Sequence, residues 1–390
     1  MEGYLFTSEC VTPGHPDKIC DQISDAIVSY CLANDKKSRV AVETMISDGM
    51  VCVSGEVTTA ANMSDEVLKG IVDRTISRIG YNETYGKKFG FDVNNYKFIT
   101  NIHKQSPDIA MGVDVGGAGD QGMMFGGAVN ETPELMPLPM SMARKLTDML
   151  FHLSKRTFDG KAMFGPDGKS QVTVKYGADG KPCGIDTVVI SIQHIDDVSI
   201  EDIRELVKTL VIKPVLNSYG YDIINVKHIY INPTGKFVIG GPEGDSGLTG
   251  RKIIVDTYGG YFRHGGGAFS GKDLTKVDRS AAYMSRYIAK NLVMSKVCDK
   301  CEVQLSYAIG VEQPVSVNVN TYGTGRLSDK AIAEIVYKVF DMSPKGMISK
   351  FGVDFDAIIT AEKGHFGNRE YAWEMTDKVL DIKNILTMKE

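Results

Sequence analysis

The sequence has no run of apolar residues long enough to span a bilayer, and it opens without the basic and then apolar segments of a secretory signal. It also has no excess of basic residues. The 390-residue chain carries a formal net charge of -5, whereas general nucleic-acid binders are usually basic. We therefore expect a soluble cytoplasmic protein that binds neither membranes nor nucleic acid. The length predicts two or three domains, and the lack of a low-complexity linker predicts that they pack closely.

Cysteine is sparse, and its spacing does not favour a metal site. The chain has 7 cysteines, an odd number that suits reduced thiols better than a disulfide framework. Cys298 and Cys301 form a single C-x-x-C pair without the second pair that a zinc site needs. We interpret them as two ordinary thiols where a helix meets a strand.

Three glycine-rich segments carry charges that a packed core would not accept: residues 116–122, 240–252 and 264–273. Glycine lets the backbone approach a ligand and present its N–H groups. Aspartate supplies hard oxygen for magnesium, and lysine and arginine supply positive charge for phosphate. Together these ingredients predict a polyphosphate substrate and a divalent metal.

The familiar nucleotide and hydrolase motifs are missing. The glycine segments contain no P-loop pattern, and the chain contains no G-x-S-x-G elbow. Gly117, Gly119 and Gly122 have the G-x-G-x-x-G spacing, but Gly126 and Gly127 follow too soon for a helix to open there. We therefore expect neither a P-loop nor a dinucleotide-binding fold.

Two predicted helix starts could bind anions. Pro16 suits the first helical position, which makes His15 the cap, able to donate to a phosphate, with Asp17 free to hold a metal. The alternative is that Asp17 only complements the helix dipole, a contribution of ~0.3–1 kcal/mol. The third glycine segment leads into a helix predicted to start near Asp273.

Around that second start, Lys272 lies just before the helix and Lys276 in its first turn, where a cation is favourable only if an anion also binds. Asp278 could be a second metal ligand. The alternative is a solvated, charged helix start.

Strand-like and helical patterns are mixed along the whole chain, which predicts an α+β fold. Strands are predicted at residues 39–46, 50–58, 171–176, 185–194, 228–231, 302–311 and 315–322. Helices are predicted at residues 16–32, 64–79, 141–155, 200–219, 274–294 and 328–340. Loops at 104–127 and 232–250 are candidate boundaries. Residues 167–169 predict a turn, Glu43 and Glu56 are predicted on a solvent face, and residues 104–109 could form a lid.

The segments that begin at Phe6, Gly14, Gly117, Gly241 and His264, with those around Gly364 and Trp373, together resemble the S-adenosylmethionine synthetase family over nearly the whole chain. The resemblance implies an α+β fold of three similar αβ domains around a pseudo-threefold axis. We place them at 1–106, 118–238 and 239–390, with segments exchanged at the N-terminus.

The family forms S-adenosylmethionine from ATP and L-methionine and then hydrolyses the released triphosphate to phosphate and pyrophosphate. The resemblance implies two Mg²⁺ per site and K⁺. It also implies homodimers that pair through flat sheet faces and share their active sites, and that associate as dimers of dimers.

The resemblance also assigns roles to residues. Catalysis falls to His15, Lys169, Arg251, Lys252, Lys272 and Lys276. ATP binding falls to His15, Asp167, Lys169, Lys236, Phe237, Asp245, Arg251, Lys252, Ala268 and Lys272. Methionine binding falls to Glu56, Gln105, Asp120, Asp245 and Lys276. Magnesium falls to Asp17 and Asp278, and potassium to Glu43.

Two departures from the family pattern stand out: Lys236 where arginine is more usual, and a short loop after Gln105 with Met111 where glutamine is more usual. The loop gates the site in the family, so its opening is the property that the departure affects. From the residues alone, a phosphotransferase that releases ADP or AMP, or a non-catalytic partner subunit, remains an alternative.

Overall fold

The computed structural model describes residues 3–104, 116–158, 160–353 and 355–387. Its strands are β1 Tyr4–Val11, β2 Arg39–Ser47, β3 Met50–Thr58, β4 Lys97–His103, β5 Gly122–Val129, β6 Phe164–Tyr176, β7 Pro182–His194, β8 His228–Ile231, β9 Gly247–Leu248, β10 Lys300–Tyr307 and β11 Ser316–Asn320. Its helices are α1 Pro16–Asn34, α2 Asp65–Ile79, α3 Leu138–Ser154, α4 Ile200–Val207, α5 Lys213–Ser218, α6 Gly241–Gly244, α7 Ile253–Asp256, α8 Val277–Met294, α9 Asp329–Val339, α10 Pro344–Phe351, α11 Ala357–Lys363 and α12 Val379–Thr387.

The described strands form three sheets that repeat one arrangement, with the orders β4-β3-β2-β9, β1-β6-β7-β8 and β11-β10-β5. Each sheet contains an antiparallel hairpin: β2–β3, β6–β7 or β10–β11. The first strand of each hairpin pairs antiparallel with a strand from a distant part of the chain: β9, β1 or β5 respectively. The fold is therefore α+β, and exchanged strands bind its three parts to one another.

The hydrophobic core has two parts. The smaller lies between the β2–β3 hairpin and helices α1 and α2, and it includes the buried Ile19, Ile23 and Ile27 of α1. The larger continues beneath the other two sheets, against α3 and the almost wholly buried α8. Because α1 packs on the first sheet and also contacts β9, it is fixed between the N-terminal and C-terminal parts of the chain.

Several sequence predictions of secondary structure were wrong in detail. Residues 167–169 are not a turn but part of β6, and residues 122–127 of the predicted loop 104–127 belong to the strand β5. Helix α8 begins at Val277, with Lys276 as its cap, rather than near Asp273. A π-helical turn at Lys208–Ile212 interrupts the helix predicted for 200–219. The strand predicted for 302–311 ends at Tyr307.

Other predictions are confirmed. Pro16 opens α1 after His15, and a strand rather than a helix follows Gly122, as expected from the absence of a dinucleotide fold. Cys298 lies between α8 and β10, Cys301 lies on β10, and both are buried. Within the described ranges, no helix is both long and apolar enough to cross a membrane.

Candidate functional site

The pairing of β1 with β6 brings the start of α1 next to residues 166–169. Thr12 donates its backbone N–H to the carbonyl of Gly168 at 2.9 Å, and its hydroxyl donates to the carbonyl of Pro166 at 2.7 Å. A Cβ on Gly14 would lie only 2.3 Å from that Pro166 carbonyl, so only glycine fits. Lys169 stands directly opposite Val11, near His15.

His15 caps α1 as a neutral ring. Its Nδ1 accepts the backbone N–H of Asp17 at 3.2 Å, which leaves the proton on Nε2. Burial, together with the charges of Lys252 and Lys169, lowers the pKa of His15 to about 3. His15 is therefore a hydrogen-bond donor at the positive end of a helix, where an anion is favoured.

Asp17 binds residues of the second glycine segment at the N-terminus of α1. One carboxylate oxygen lies 2.5 Å from the Lys252 ammonium, and the other accepts the N–H of Leu248 at 2.9 Å and lies 3.9 Å from Nε of Arg251. Burial alone would raise the pKa of Asp17, but the bonds from Lys252 and Leu248 bring it below its ordinary value.

We call His15, Asp17, Lys169, Arg251 and Lys252 the basic cluster. It holds three cations and one carboxylate, because its histidine is neutral. Within the described part of the chain, no hydrogen bond or ion pair engages the exposed Lys169 ammonium. The cluster therefore presents uncompensated positive charge to solvent.

Asp167 lies beside the basic cluster with one oxygen unsatisfied. Its Oδ2 accepts the N–H of Gly241 at 2.9 Å, while its buried Oδ1 has no partner among the described residues. Burial raises the pKa of Asp167 to about 6, against the bond from Gly241 and the charge of Lys169, and Asp245 adds to the rise. An orphaned, buried acceptor indicates a missing donor, and a ligand can supply it.

Three other residues predicted to bind ATP, Phe237, Asp245 and Lys236, have different surroundings. Phe237 lies against Gly240, where a Cβ would come 2.8 Å from the ring. Asp245 is exposed and caps its own turn through the N–H of Ser246. Lys236 instead forms a surface ion pair with Asp196 at 2.5 Å.

A second group, which we call the acidic cluster, consists of Glu43, Glu56, Lys272 and Asp278. The Lys272 ammonium lies 2.6 Å from the Asp278 carboxylate. Neighbouring protein atoms partly desolvate the Glu43 carboxylate and raise its pKa in spite of the charge of Lys272, and Glu56 adds to the rise. Glu56 faces His103 across 3.4 Å. Glu43 is exposed, as expected for the solvent face of a strand.

The remaining predicted site residues make few contacts. The Lys276 ammonium lies 3.9 Å from Asp273, and Ala268 packs against the backbone of Gly250. Asp120 is exposed and accepts only the N–H of Gln121 among the described residues. Gln105 lies outside the described residues.

Sequence reasoning missed a row of buried charges behind the site. Asp21 and Asp25 lie on α1 one and two turns after Asp17, and both are fully buried. Asp21 bonds to Lys18, and Asp25 bonds to Arg279. The spacing of 17, 21 and 25 was a readable signal, because residues four apart share a helix face.

The charged groups do not form a dedicated metal cage. Among the residues that the structure describes, no three histidine, cysteine or acidic side chains lie together as a metal site. The carboxylates of Asp17 and Asp278 instead occur singly, each beside a lysine. Such an arrangement suits a metal that takes one carboxylate here and its other ligands from substrate and water.

The chain was compared with models of known protein families, and the matches cover all three parts of the fold. Models of the N-terminal, central and C-terminal domains of S-adenosylmethionine synthetase match residues 3–107, 115–237 and 239–375 in succession. The matches are consecutive and together span nearly the whole chain. The chain therefore belongs to the S-adenosylmethionine synthetase family, the methionine adenosyltransferases that form S-adenosylmethionine from ATP and methionine.

Proposed function

We propose that this chain aligns the methionine sulfur with the ribose C5′ of ATP for direct displacement of triphosphate, and then hydrolyses the triphosphate to phosphate and pyrophosphate. The observation that carries the proposal is the basic cluster at a helix N-terminus, where Arg251 and Lys252 lie beside the Asp17 carboxylate and Lys169 lies near the neutral donor His15. A leaving group with several negative charges is the ligand that this arrangement favours.

The described site suits a reaction without a protein base. A thioether sulfur is an uncharged and competent nucleophile, so displacement at C5′ needs no side chain to remove a proton. The catalytic contribution then comes from alignment of the reactants and from stabilisation of the triphosphate. We assign these tasks to His15, Lys169, Arg251, Lys252, Lys272 and Lys276.

Substrate contacts are assigned by chemistry and position. The free Oδ1 of Asp167 is an acceptor for ATP, and Phe237, beside Gly240, supplies an apolar ring. We add Lys236, Asp245 and Ala268 to the ATP site. Glu56, Asp120, Asp245 and Lys276, with Gln105, form the methionine site, where carboxylates suit the amino group and Lys276 suits the carboxylate.

The residues present fit the metals that the family implies. Magnesium prefers oxygen ligands and commonly takes one or two carboxylates plus substrate phosphates. We propose Asp17 and Asp278 for two Mg²⁺, and the exposed Glu43 for K⁺. When bound, these cations would neutralise triphosphate charge, while Asp17 would exchange its bond to Lys252 for one to the metal.

The two clusters support an active site shared by two subunits. Leu248, which bonds to Asp17 of the basic cluster, pairs with Met45 of β2. Lys272 of the acidic cluster bridges to Ala41, four residues earlier on the same strand. Four strand residues span about 13 Å, so the two clusters of one subunit are attached to β2 at separate points. We propose that the basic cluster of one subunit faces the acidic cluster of a second in a homodimer, which pairs again as a dimer of dimers.

We also propose that each subunit has three domains, at residues 1–106, 118–238 and 239–390.

Product analysis tests the proposed reaction. Purified protein is incubated with ATP, L-methionine, Mg²⁺ and K⁺, and the products are identified by mass spectrometry. We expect S-adenosylmethionine with phosphate and pyrophosphate in equal amounts. Formation of ADP or AMP would reassign the chain to phosphoryl or nucleotidyl transfer, and intact ATP would indicate a non-catalytic subunit.

A further inference from the structure

One face of α1 carries three aspartates that each hold a glycine segment of the C-terminal part. Asp17, Asp21 and Asp25 are four residues apart and therefore lie in one row along the helix. Their carboxylates accept the backbone N–H groups of Leu248, Gly250 and Gly271 at 2.9, 2.8 and 2.8 Å. The row thus fixes two separate glycine segments to one rigid element.

Asp25, the last aspartate of the row, holds the backbone around Lys272 in place through Arg279. Asp25 forms a two-pronged pair with Arg279, at 2.7 and 3.1 Å, in which neither side chain is exposed. The same guanidinium donates to the carbonyls of Phe269 and Lys272 at 3.0 and 2.8 Å. Arg279 also follows Asp278 directly in the sequence. The pair therefore fixes the backbone on both sides of the Lys272–Asp278 contact.

The middle aspartate controls the segment that carries Arg251 and Lys252. Asp21 holds Gly250 through one oxygen and lies 3.0 Å from Lys18 through the other. Lys18 is held in turn by Asp256 at 2.6 Å, at the end of α7. Both ends of residues 250–256 are thereby tied to α1, and the two basic residues project from between the ties.

We propose that Asp21 and Asp25 are positioning residues of the transferase, and that α1 sets the distance between its basic and acidic clusters. The inference rests on the proposed function for the identity of the site residues. Neither aspartate contacts solvent, so neither acts on substrate directly. Each acts through a backbone N–H, of Gly250 or Gly271, that loses its acceptor once the carboxylate is removed.

Two substitutions of Asp21 separate positioning from general stability. Asp21→Asn keeps an oxygen for Gly250, and Lys18 still has Asp256; Asp21→Ala removes the acceptor. The matched control is Ile335→Ala, a truncation of a fully buried residue in α9, away from the glycine segments. Melting temperature, kcat, the KM values and the affinity for inorganic tripolyphosphate are measured for all three. The same two substitutions are made at Asp25, although Asp25→Asn removes the negative charge that pairs with the buried Arg279.

We expect Asp21→Ala to lower kcat and tripolyphosphate affinity by at least about tenfold, because a small displacement of a catalytic group is costly. Asp21→Asn should stay within about twofold of the parent, and Ile335→Ala should lower only the melting temperature. Equal losses in the two Asp21 variants, or losses that follow melting temperature in all three, would overturn the proposal. Tripolyphosphate binding reports on positioning even if the parent makes no S-adenosylmethionine, so failure of the proposed function remains a separate result.

Discussion

The basic and acidic clusters are both anchored beside strand β2, through Leu248 and Lys272, yet they have opposite compositions. The basic cluster has three cations and one carboxylate, while the acidic cluster has three carboxylates and the single cation Lys272. The first is built at a helix N-terminus, and the second on the open face of a sheet beside a glycine segment.

This difference supports our proposal that neither cluster alone forms the whole site for ATP, methionine and metals. The basic cluster supplies charge for phosphates but few oxygens for cations, and the acidic cluster supplies oxygens but a single counter-charge. Complementary surfaces of this kind steer association and fix its register. Two copies of the chain could supply both halves at once, which is the arrangement that we propose.

The largest expected effect is the loss of one lysine from either cluster. We predict that Lys169→Ala and Lys272→Ala each lower the rate of S-adenosylmethionine formation by orders of magnitude, since one electrostatic contact to the transition state contributes ~2.7–4 kcal/mol. The fold should remain intact by circular dichroism. Lys175→Ala, at an exposed position on the same strand as Lys169, is the control and should change little. Turnover like that of the parent in either site variant would remove that lysine from the site.

A smaller effect is expected for the metal ligand of the basic cluster. We predict that Asp17→Asn raises the magnesium concentration for half-maximal rate by about tenfold or more, because the amide loses the charge but keeps an oxygen for Leu248. A magnesium titration of the rate measures the midpoint, with Asp148→Asn, an exposed residue of α3, as the control. An unchanged midpoint in Asp17→Asn would contradict the assignment.

The pH dependence of kcat/KM for ATP tests whether Asp167 belongs to the ATP site. Its pKa is raised to about 6, so the carboxylate is ionised at pH 7 and becomes protonated as the pH falls below 6. If its free oxygen accepts a bond from ATP, kcat/KM for ATP falls by up to about tenfold per pH unit below that pKa. Asp167→Asn cannot titrate and should lack this part of the profile. Superimposable profiles for the two proteins would show that the carboxyl does not act in ATP binding.

The smallest effect is expected at the exposed edge of the acidic cluster. We predict that Glu43→Gln raises the potassium concentration for half-activation about fivefold, since a unit charge 4 Å away contributes about 1 kcal/mol in water. Potassium titrations of the rate compare it with Glu83→Gln, an exposed residue outside both clusters. A shift of equal size in the control would indicate a general effect of the protein's net charge and would contradict the assignment of Glu43 to potassium.

The regular elements with strong periodicity could be predicted from the sequence, and the glycine-bearing strand β5 could not. Glycine weakens an isolated strand, so 122–129 looks like a loop. In the fold, a Cβ on Gly126 would lie 2.1 Å from the backbone of Ser285, and one on Gly127 would lie 2.2 Å from the ring of Phe262. Gly126 therefore allows β5 to pack against α8, and Gly127 makes room for the Phe262 ring. No local sequence pattern contains either contact.

The site could be predicted to a similar extent. The cap formed by His15 and Pro16 is local, so the sequence located it correctly. The bond that Arg279 donates to Asp25 joins residues 254 positions apart, so the partner of Asp25 could not be named before the chain was folded. Asp167 was assigned to a turn because Gly168 follows it, whereas the pairing of Gly168 with Ile192 of β7 extends β6 through that glycine.

The shared site is tested most directly by mixing two inactive variants. Lys169→Ala and Lys272→Ala subunits are unfolded and refolded together in equal amounts, and S-adenosylmethionine formation is compared with each variant refolded alone. If each site takes Lys169 from one subunit and Lys272 from the other, mixed dimers contain one intact site. About a quarter of the parent activity should then return. Activity no higher than that of the separate variants, in a sample shown by mass spectrometry to contain mixed dimers, would contradict a site shared between subunits.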